Sequence, residues 1–552
     1  MHRCLSLPEV FQIILEKLDE AHSDLLPPLY RSRGSSSHAR LARTCRLFSD
    51  AALNMLWRNQ CTMIALLKCF PAHLWEVTGL DSSPTTGVFR FLPESAIGPA
   101  DWERFLLYAA RIKTITLGLN LYAHAADLPL DALEMINITR PAECILPNLR
   151  KLHWVTTDPT VFPFIRLFLC PGISAISLVL EPTPAHRSLL LWLGSTAHSL
   201  QEVSLSGTEV ASDNEADPAT LNAITSFILT LDKIKTLSVP RLHPSAQRHL
   251  ASLPSLSTLR IENFVSIEPG SSHAHPYPHP SFPALSHLTL GATKLASATK
   301  FLTKMSPSAL KTLVFYDGPV STSVVMGAFF AALHSSGAHL HLTQLTICFT
   351  TLPLDFVDPA AYRLTTAVLT PLLSFSSLQS VEMLARTGFE IDDPFCAVMA
   401  AAWPQLERLD LNTDFGYDMA PPPAATAASL LAFATHCPRL TELTLPLDMT
   451  LVPELPPRSL RPQQTALQVL GVLDSAVDSK TRTARFLASL FPRLTRIYSA
   501  IDGSETGVVR DRDWAAVQEL VSDFAAVILD EDRHWRAESM RLRDMVDKGT
   551  QV

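Results

Sequence analysis

Histidine is the residue type whose spacing first suggests chemistry in this chain. His273, His275 and His279 fall within SIEPGSSHAHPYPHPSF (266–282), and His287 follows shortly after. Imidazoles at such intervals can gather around a metal ion, yet no cysteine or carboxylate partner and no helix fixes their geometry. The stretch therefore reads as a solvated Pro/His loop, and no metal or other cofactor is expected. His339 and His341 read as neighbours at a strand start. No Gly-x-Ser-x-Gly elbow, phosphate-binding glycine loop or His-Glu-x-x-His helix occurs, and nothing sets a nucleophile beside a base, so the chain is not expected to be an enzyme. Nine cysteines lie scattered at 4, 45, 61, 69, 144, 170, 348, 396 and 437 without a Cys-x-x-Cys pair, which predicts reduced thiols of the cytosol or nucleus.

The remaining chemistry is recognition. Glu382, Arg408, Asp410, Glu442, Arg496 and Tyr498 combine both signs of charge with an aromatic ring, and all fall within one recurring pattern. That combination suits a protein partner, so these six are the expected substrate-binding residues, placing the bound protein toward the C-terminal half.

The elements that must position them come from the pattern itself: apolar, two variable, apolar, one variable, apolar. It occurs as RIKTITL at 111, NLRKLHW at 148, SLQEVSL at 199, ALSHLTL at 284, QLERLDL at 405 and RLTRIYS at 493, among fourteen copies in all. The first apolar positions run from 112 to 494 at intervals of 22 to 37 residues. This is the period of a leucine-rich repeat. The last two apolar residues of each copy are two apart and so share one side of a strand, leaving the residue between them to face outward. Proline stands two residues before the first apolar position in several copies (Pro147, Pro254, Pro283, Pro404, Pro438, Pro492), where its missing N–H and restricted predecessor stop the preceding helix. Between the strands lie helical stripes such as Leu221, Ile224, Phe227, Ile228 and Leu231, opened by Asp217-Pro218; Asp393-Pro394 repeats the device. The expected fold is an α/β leucine-rich-repeat solenoid over 110–505, with parallel strands on the concave face and helices on the convex face.

Composition agrees with a folded repeat array. Charged residues are only 18%, proline (41) outnumbers glycine (19), and a net charge of −8 offers no basic face for nucleic acid. The start is interrupted by Glu9, Gln12, Glu16 and Lys17, so no signal peptide is expected, and the apolar run Val324–Leu333 is too short to span a bilayer. Asn137-Ile138-Thr139 is a chance glycosylation tripeptide in such a chain. Segments 61–109 and 506–552 are expected to be a connecting helical region and C-terminal capping helices, the latter carrying Trp514, Val517, Leu520, Val521, Phe524 and Ile528 on one face.

The first 60 residues differ from the repeats. Leu7, Val10, Phe11, Ile14, Leu15 and Leu18 form one apolar helical arc after Pro8, and Leu41, Cys45, Phe48, Leu53, Leu56 and Trp57 form another. Helices this short cannot bury so much apolar surface alone, so part of it should meet a partner. Leu7-Pro8-Glu9, Ile14, Leu18, Leu41, Cys45, Phe48, Leu53 and the closing Leu56-Trp57-Arg58 resemble an F-box, and with the repeats at 110–500 the chain is similar to the F-box/leucine-rich-repeat family. The resemblance implies a small all-α domain over 1–60 that docks the Skp adaptor of a cullin-RING (SCF-type) ubiquitin ligase, while the repeats hold a protein for ubiquitination. It implies that Leu7 and Pro8 lie in the adaptor contact and that Ile14, Leu18, Leu41, Cys45, Phe48, Leu53 and Trp57 are shared between that contact and the domain core. Residues 21–38 depart from the family pattern by inserting a Pro/Ser/Arg-rich loop for a short turn, and the loop is expected to bulge outward. The alternative is a leucine-rich-repeat binding scaffold outside any ligase, with the helices as a cap. Either way the expected location is cytosolic or nuclear, without membrane contact.

Overall fold

A computed structural model describes residues 13–17, 36–78, 88–94, 96–118, 129–207, 217–264, 281–292, 294–303, 305, 309–316, 318–349, 351–352, 356, 358–412, 422–455, 457, 461–473, 475–499, 510–528 and 530–531. The chain divides into two compact units, Met1–His249 and Leu250–Val552. Both are α/β leucine-rich-repeat solenoids. No helix among the described residues is long and apolar enough to cross a membrane.

In the first unit, β1 (Asn59–Gln60) is followed by the antiparallel hairpin β2 (Trp75–Thr78) and β3 (Val88–Phe91). Then come β4 (Thr114–Leu117), β5 (Lys151–Trp154), β6 (Ala175–Val179), β7 (Glu202–Ser206) and β8 (Thr236–Val239). Strands β1, β4, β5, β6, β7 and β8 pair in that order, all parallel. The apolar triads account for this: Ile112, Ile115 and Leu117, then Leu149, Leu152 and Trp154, are fully buried, while Thr114, Lys151 and His153 between them stay partly exposed. A strand that can hide only one face needs the next repeat to cover it, so stacking is obligatory.

The second unit repeats the scheme with β9 (Thr258–Ile261), β10 (His287–Gly291), β11 (Thr312–Tyr316), β12 (Gln344–Cys348), β14 (Ser380–Leu384), β16 (Arg408–Asn412), β17 (Glu442–Thr444), β18 (Val469–Leu473) and β19 (Arg496–Ser499) paired in parallel. Two short strands, β13 (Leu364–Thr365) and β15 (Phe389–Glu390), pair with each other outside this ladder. The last ladder edge is closed by the helical residues 510–528, where Trp514, Val517 and Val521 are buried. The Ile497 N–H donates to Gln518 Oε1 at 2.7 Å, giving one edge amide of β19 an acceptor.

Several expectations need correction. The segment 61–109 is not simply helical: the β2–β3 hairpin packs Phe89 and Phe91 against Phe70, Trp102 and Phe105 as an aromatic core. The ladder starts at Asn59, whose two polar residues carry no strand signal, rather than near 110. His339 lies in a 3₁₀ turn (Ala338–Leu340) with His341 at its end, because Gly337 adopts a left-handed conformation (φ 81°) that turns the chain before β12. At 392–394 the helix cap is Asp392, whose side chain accepts from Phe395 N at 2.9 Å. That frees Asp393 to accept from Thr426 N (2.8 Å) and Thr426 Oγ1 (2.7 Å) in the following repeat. Cys144 and Cys170, read as scattered thiols, lie side by side with Cα atoms 5.8 Å apart. Stacking of successive repeats, invisible in a spacing count, brings that pair together.

Candidate functional site

The outward positions of β14, β16, β17, β18 and β19 form two rows across the second unit. One runs Glu382, Asp410, Thr444, Gly471, Tyr498, and the other runs Ser380, Arg408, Glu442, Val469, Arg496, each residue in register with the next. All six residues expected from the sequence thus share one strand face. Arg408 bridges two carboxylates, with Nε 3.3 Å from Glu442 Oε2 and Nη2 3.6 Å from Asp410 Oδ2. The side chain of Asp410 is 14% exposed, and its Oδ1 has no hydrogen-bond partner among the described residues. Burial and the neighbouring Glu382 push the Asp410 carboxyl above the usual carboxylate range, with Arg408 opposing. Glu382 Oε1 lies 4.0 Å from Cys348 Sγ on the other side.

Tyr498 joins this group through Thr444 and Gly471, which are not among the six expected residues. Its hydroxyl is 2.6 Å from Thr444 Oγ1, two strands away. Gly471 makes that reach possible, because a Cβ there would lie 2.7 Å from Tyr498 Cζ and 2.6 Å from Thr444 Oγ1. The ring therefore fills space that any other residue would occupy, and burial raises its phenol pKa. Arg496 is looser, its guanidinium carbon 6.0 Å from the Tyr498 ring centroid. A glycine at an outward strand position followed one repeat later by tyrosine is the sequence signal for this arrangement. It recurs at Gly291 and Tyr316, where a Cβ would meet Tyr316 Cζ at 2.6 Å. There Arg260 Nη2 donates to the Tyr316 hydroxyl at 3.0 Å.

At the amino end, Leu7, Pro8 and Leu18 lie outside the described residues. Leu15 and Phe48 form a small buried core, against which Leu41, Cys45, Ala51 and Met55 pack; Leu53 is half-buried. The helix Ser36–Ala42 begins inside the stretch read as an insertion, and buried His38 places Nε2 3.2 Å from the Leu15 carbonyl. Ile14 is 37% exposed, Ile13 57% and Leu47 58%. Trp57, at the end of the helix Arg46–Arg58, stacks on Tyr108 with centroids 4.7 Å apart. Arg111 holds Asp50 at 2.7 Å and also bonds Asn54. Trp57 is thus turned toward the chain's own helix Trp102–Ala109.

Other candidates contribute little chemistry. His273, His275 and His279 lie outside the described residues, and His287 Nδ1 is 2.8 Å from Ser286 Oγ. Among the described residues no group of three or more His, Cys, Asp or Glu is placed to hold a metal. Burial pushes the Cys396 and Cys437 thiols up to about 12, which keeps both protonated and poor nucleophiles.

No protein-family model matches the chain, and no curated protein matches it. Among solved structures it is similar to the leucine-rich repeat-containing protein LegL7 from Legionella pneumophila, at 11% identity over 66% of this chain and 96% of that one, TM-score 0.30. It is also similar to the Rad7 and Elc1 complex in yeast (10% identity, 70% of this chain and 75% of that one, TM-score 0.31). A third is the TLR13–ssRNA13 complex (14% identity, 73% and 59%, TM-score 0.30). The fold assignment rests on the strand register described above.

Proposed function

We propose that this chain is a non-catalytic substrate receptor of a cullin-RING (SCF-type) ubiquitin ligase, acting in the cytosol or nucleus. In this reading the N-terminal helices dock the Skp adaptor and, through it, a cullin. The strand face of the second unit holds the protein to be ubiquitinated. The receptor contributes by tethering: it raises the effective concentration of substrate lysines near a charged ubiquitin carrier and makes no bond itself. The observation that carries the proposal is the exposed aliphatic surface of Ile13, Ile14 and Leu47 on helical segments whose Leu15 and Phe48 already form a small buried core. Exposed aliphatics on so small a helical body are what a docking surface provides.

The test is co-purification with the Skp adaptor. Ile14→Asp and Leu47→Asp, both at exposed positions, should abolish capture while leaving unfolding unchanged; capture that survives both variants sinks the reading. A second reading, a binding scaffold outside any ligase, draws support from the Trp57–Tyr108 stack, the Arg111–Asp50 pair and the β1–β4 pairing, which tie the helices to the ladder as a cap would. It predicts no adaptor capture and loss of stability on Trp57→Ala.

A further inference from the structure

The outward positions of β14, β16 and β17 carry Glu382, Asp410 and Glu442 against one guanidinium, Arg408, which already spans two of them. Glu382 and Asp410 are direct neighbours in register, an arrangement of like charges that weakens a sheet. Asp410 keeps Oδ1 buried beside Glu382, without a hydrogen-bond partner among the described residues. An anionic ligand would face three carboxylates here, whereas a cationic side chain would relieve them. Toward either side of this acidic middle lies a tyrosine laid on a glycine. Tyr316 covers Gly291, with Arg260 4.8 Å from its ring centroid, and Tyr498 covers Gly471, hydrogen-bonded to Thr444. Both rings are held in place before any partner arrives, and that pre-organisation is what makes a tyrosine effective at an interface.

From β11 to β19 the face crosses six strand spacings. At about 4.8 Å each this spans about 29 Å, the length of roughly nine residues of extended chain. We propose that this face is a track for an extended, basic polypeptide segment of the bound protein, its ends stacking on Tyr316 and Tyr498 and a lysine or arginine seated between Glu382 and Asp410. The proposal rests on the reading that this unit holds the substrate, and it adds the chemistry of what is held.

The test uses the full-length protein and fluorescence anisotropy with a labelled Gly/Ser peptide of about nine residues carrying paired central lysines, against the same peptide with paired glutamates. The lysine peptide should bind and the glutamate peptide should not. Glu382→Gln should weaken binding by about tenfold or more. It should also raise the thermal midpoint without peptide, because one of two facing like charges is gone; a merely structural carboxylate would lower that midpoint. Tyr498→Leu should weaken binding too, and Glu202→Gln in the first unit should leave it unchanged. Equal binding of both peptides, no binding at millimolar peptide, or insensitivity to Glu382→Gln overturns the track. Adaptor capture is scored on the same preparation. Capture without peptide binding sinks the track alone, and peptide binding without capture sinks the ligase reading alone.

Discussion

Replacing Gly471 by alanine adds one methyl group at a place where the structure leaves no room. The new Cβ would lie 2.6 Å from Thr444 Oγ1, 2.7 Å from Thr444 Cγ2 and 2.7 Å from Tyr498 Cζ. Two side chains must then give way at once, and Tyr498 cannot swing aside while keeping its 2.6 Å bond to Thr444. Overpacking a filled site costs about 1–3 kcal/mol, and a lost hydrogen bond adds about 1 kcal/mol, so the expected destabilisation is about 2–4 kcal/mol. Gly327 provides the matched control: it lies in the helix Ser323–Ser335, and a Cβ there meets nothing within 4 Å among the described residues. Gly327→Ala should stabilise by about 0.5–1 kcal/mol, because alanine loses less backbone entropy in a helix. The same chemical change should therefore act with opposite signs at the two positions. Urea unfolding of both variants measures this, and repeating Gly471→Ala in a Tyr498→Ala background should recover part of the cost. A neutral or stabilising Gly471→Ala, or a cost unaltered by removing the ring, would refute the idea that Tyr498 occupies the gap.

Other expectations follow from buried polar groups. His186 is 1% exposed and stacked on Phe162 at 3.7 Å, and burial lowers its imidazole pKa from 6.5 to about 4. The unfolded chain thus binds the proton first; stability is intact above about pH 6.5 and falls by up to about 3 kcal/mol as the pH drops toward 4. Urea titrations at both ends of that window should show this, and His186→Leu should flatten it. Asp392 and Asp393 are adjacent yet unequal. Asp392→Ala removes a helix cap and should cost about 1 kcal/mol. Asp393→Ala strips partners from Thr426 and buried Ser429 and should cost about 2–4 kcal/mol in the same measurement.

The repeat register was legible from residue order because it depends on local periodicity. An apolar pair two positions apart must share a strand face, and proline must end what precedes it, whatever the rest of the chain does. Hence the triads from Ile112 to Val472 are buried as expected, as are Leu494 and Ile497 of the last copy, and the six outward residues from Glu382 to Tyr498 lie on one face. What residue order could not reveal is how each side chain meets one some thirty positions away, because loops of unequal length separate the repeats. Only stacking decided that Tyr498 crosses Gly471 to reach Thr444, that Arg408 spans Asp410 and Glu442, and that Cys144 meets Cys170. The same holds for Asn59–Gln60, two polar residues with no strand preference of their own that become the ladder's first strand because Thr114 and Ile115 offer them a partner. Hydrophobic pattern is a property of neighbours along the chain, whereas register, reach and the burial of a carboxylate belong to neighbours in space.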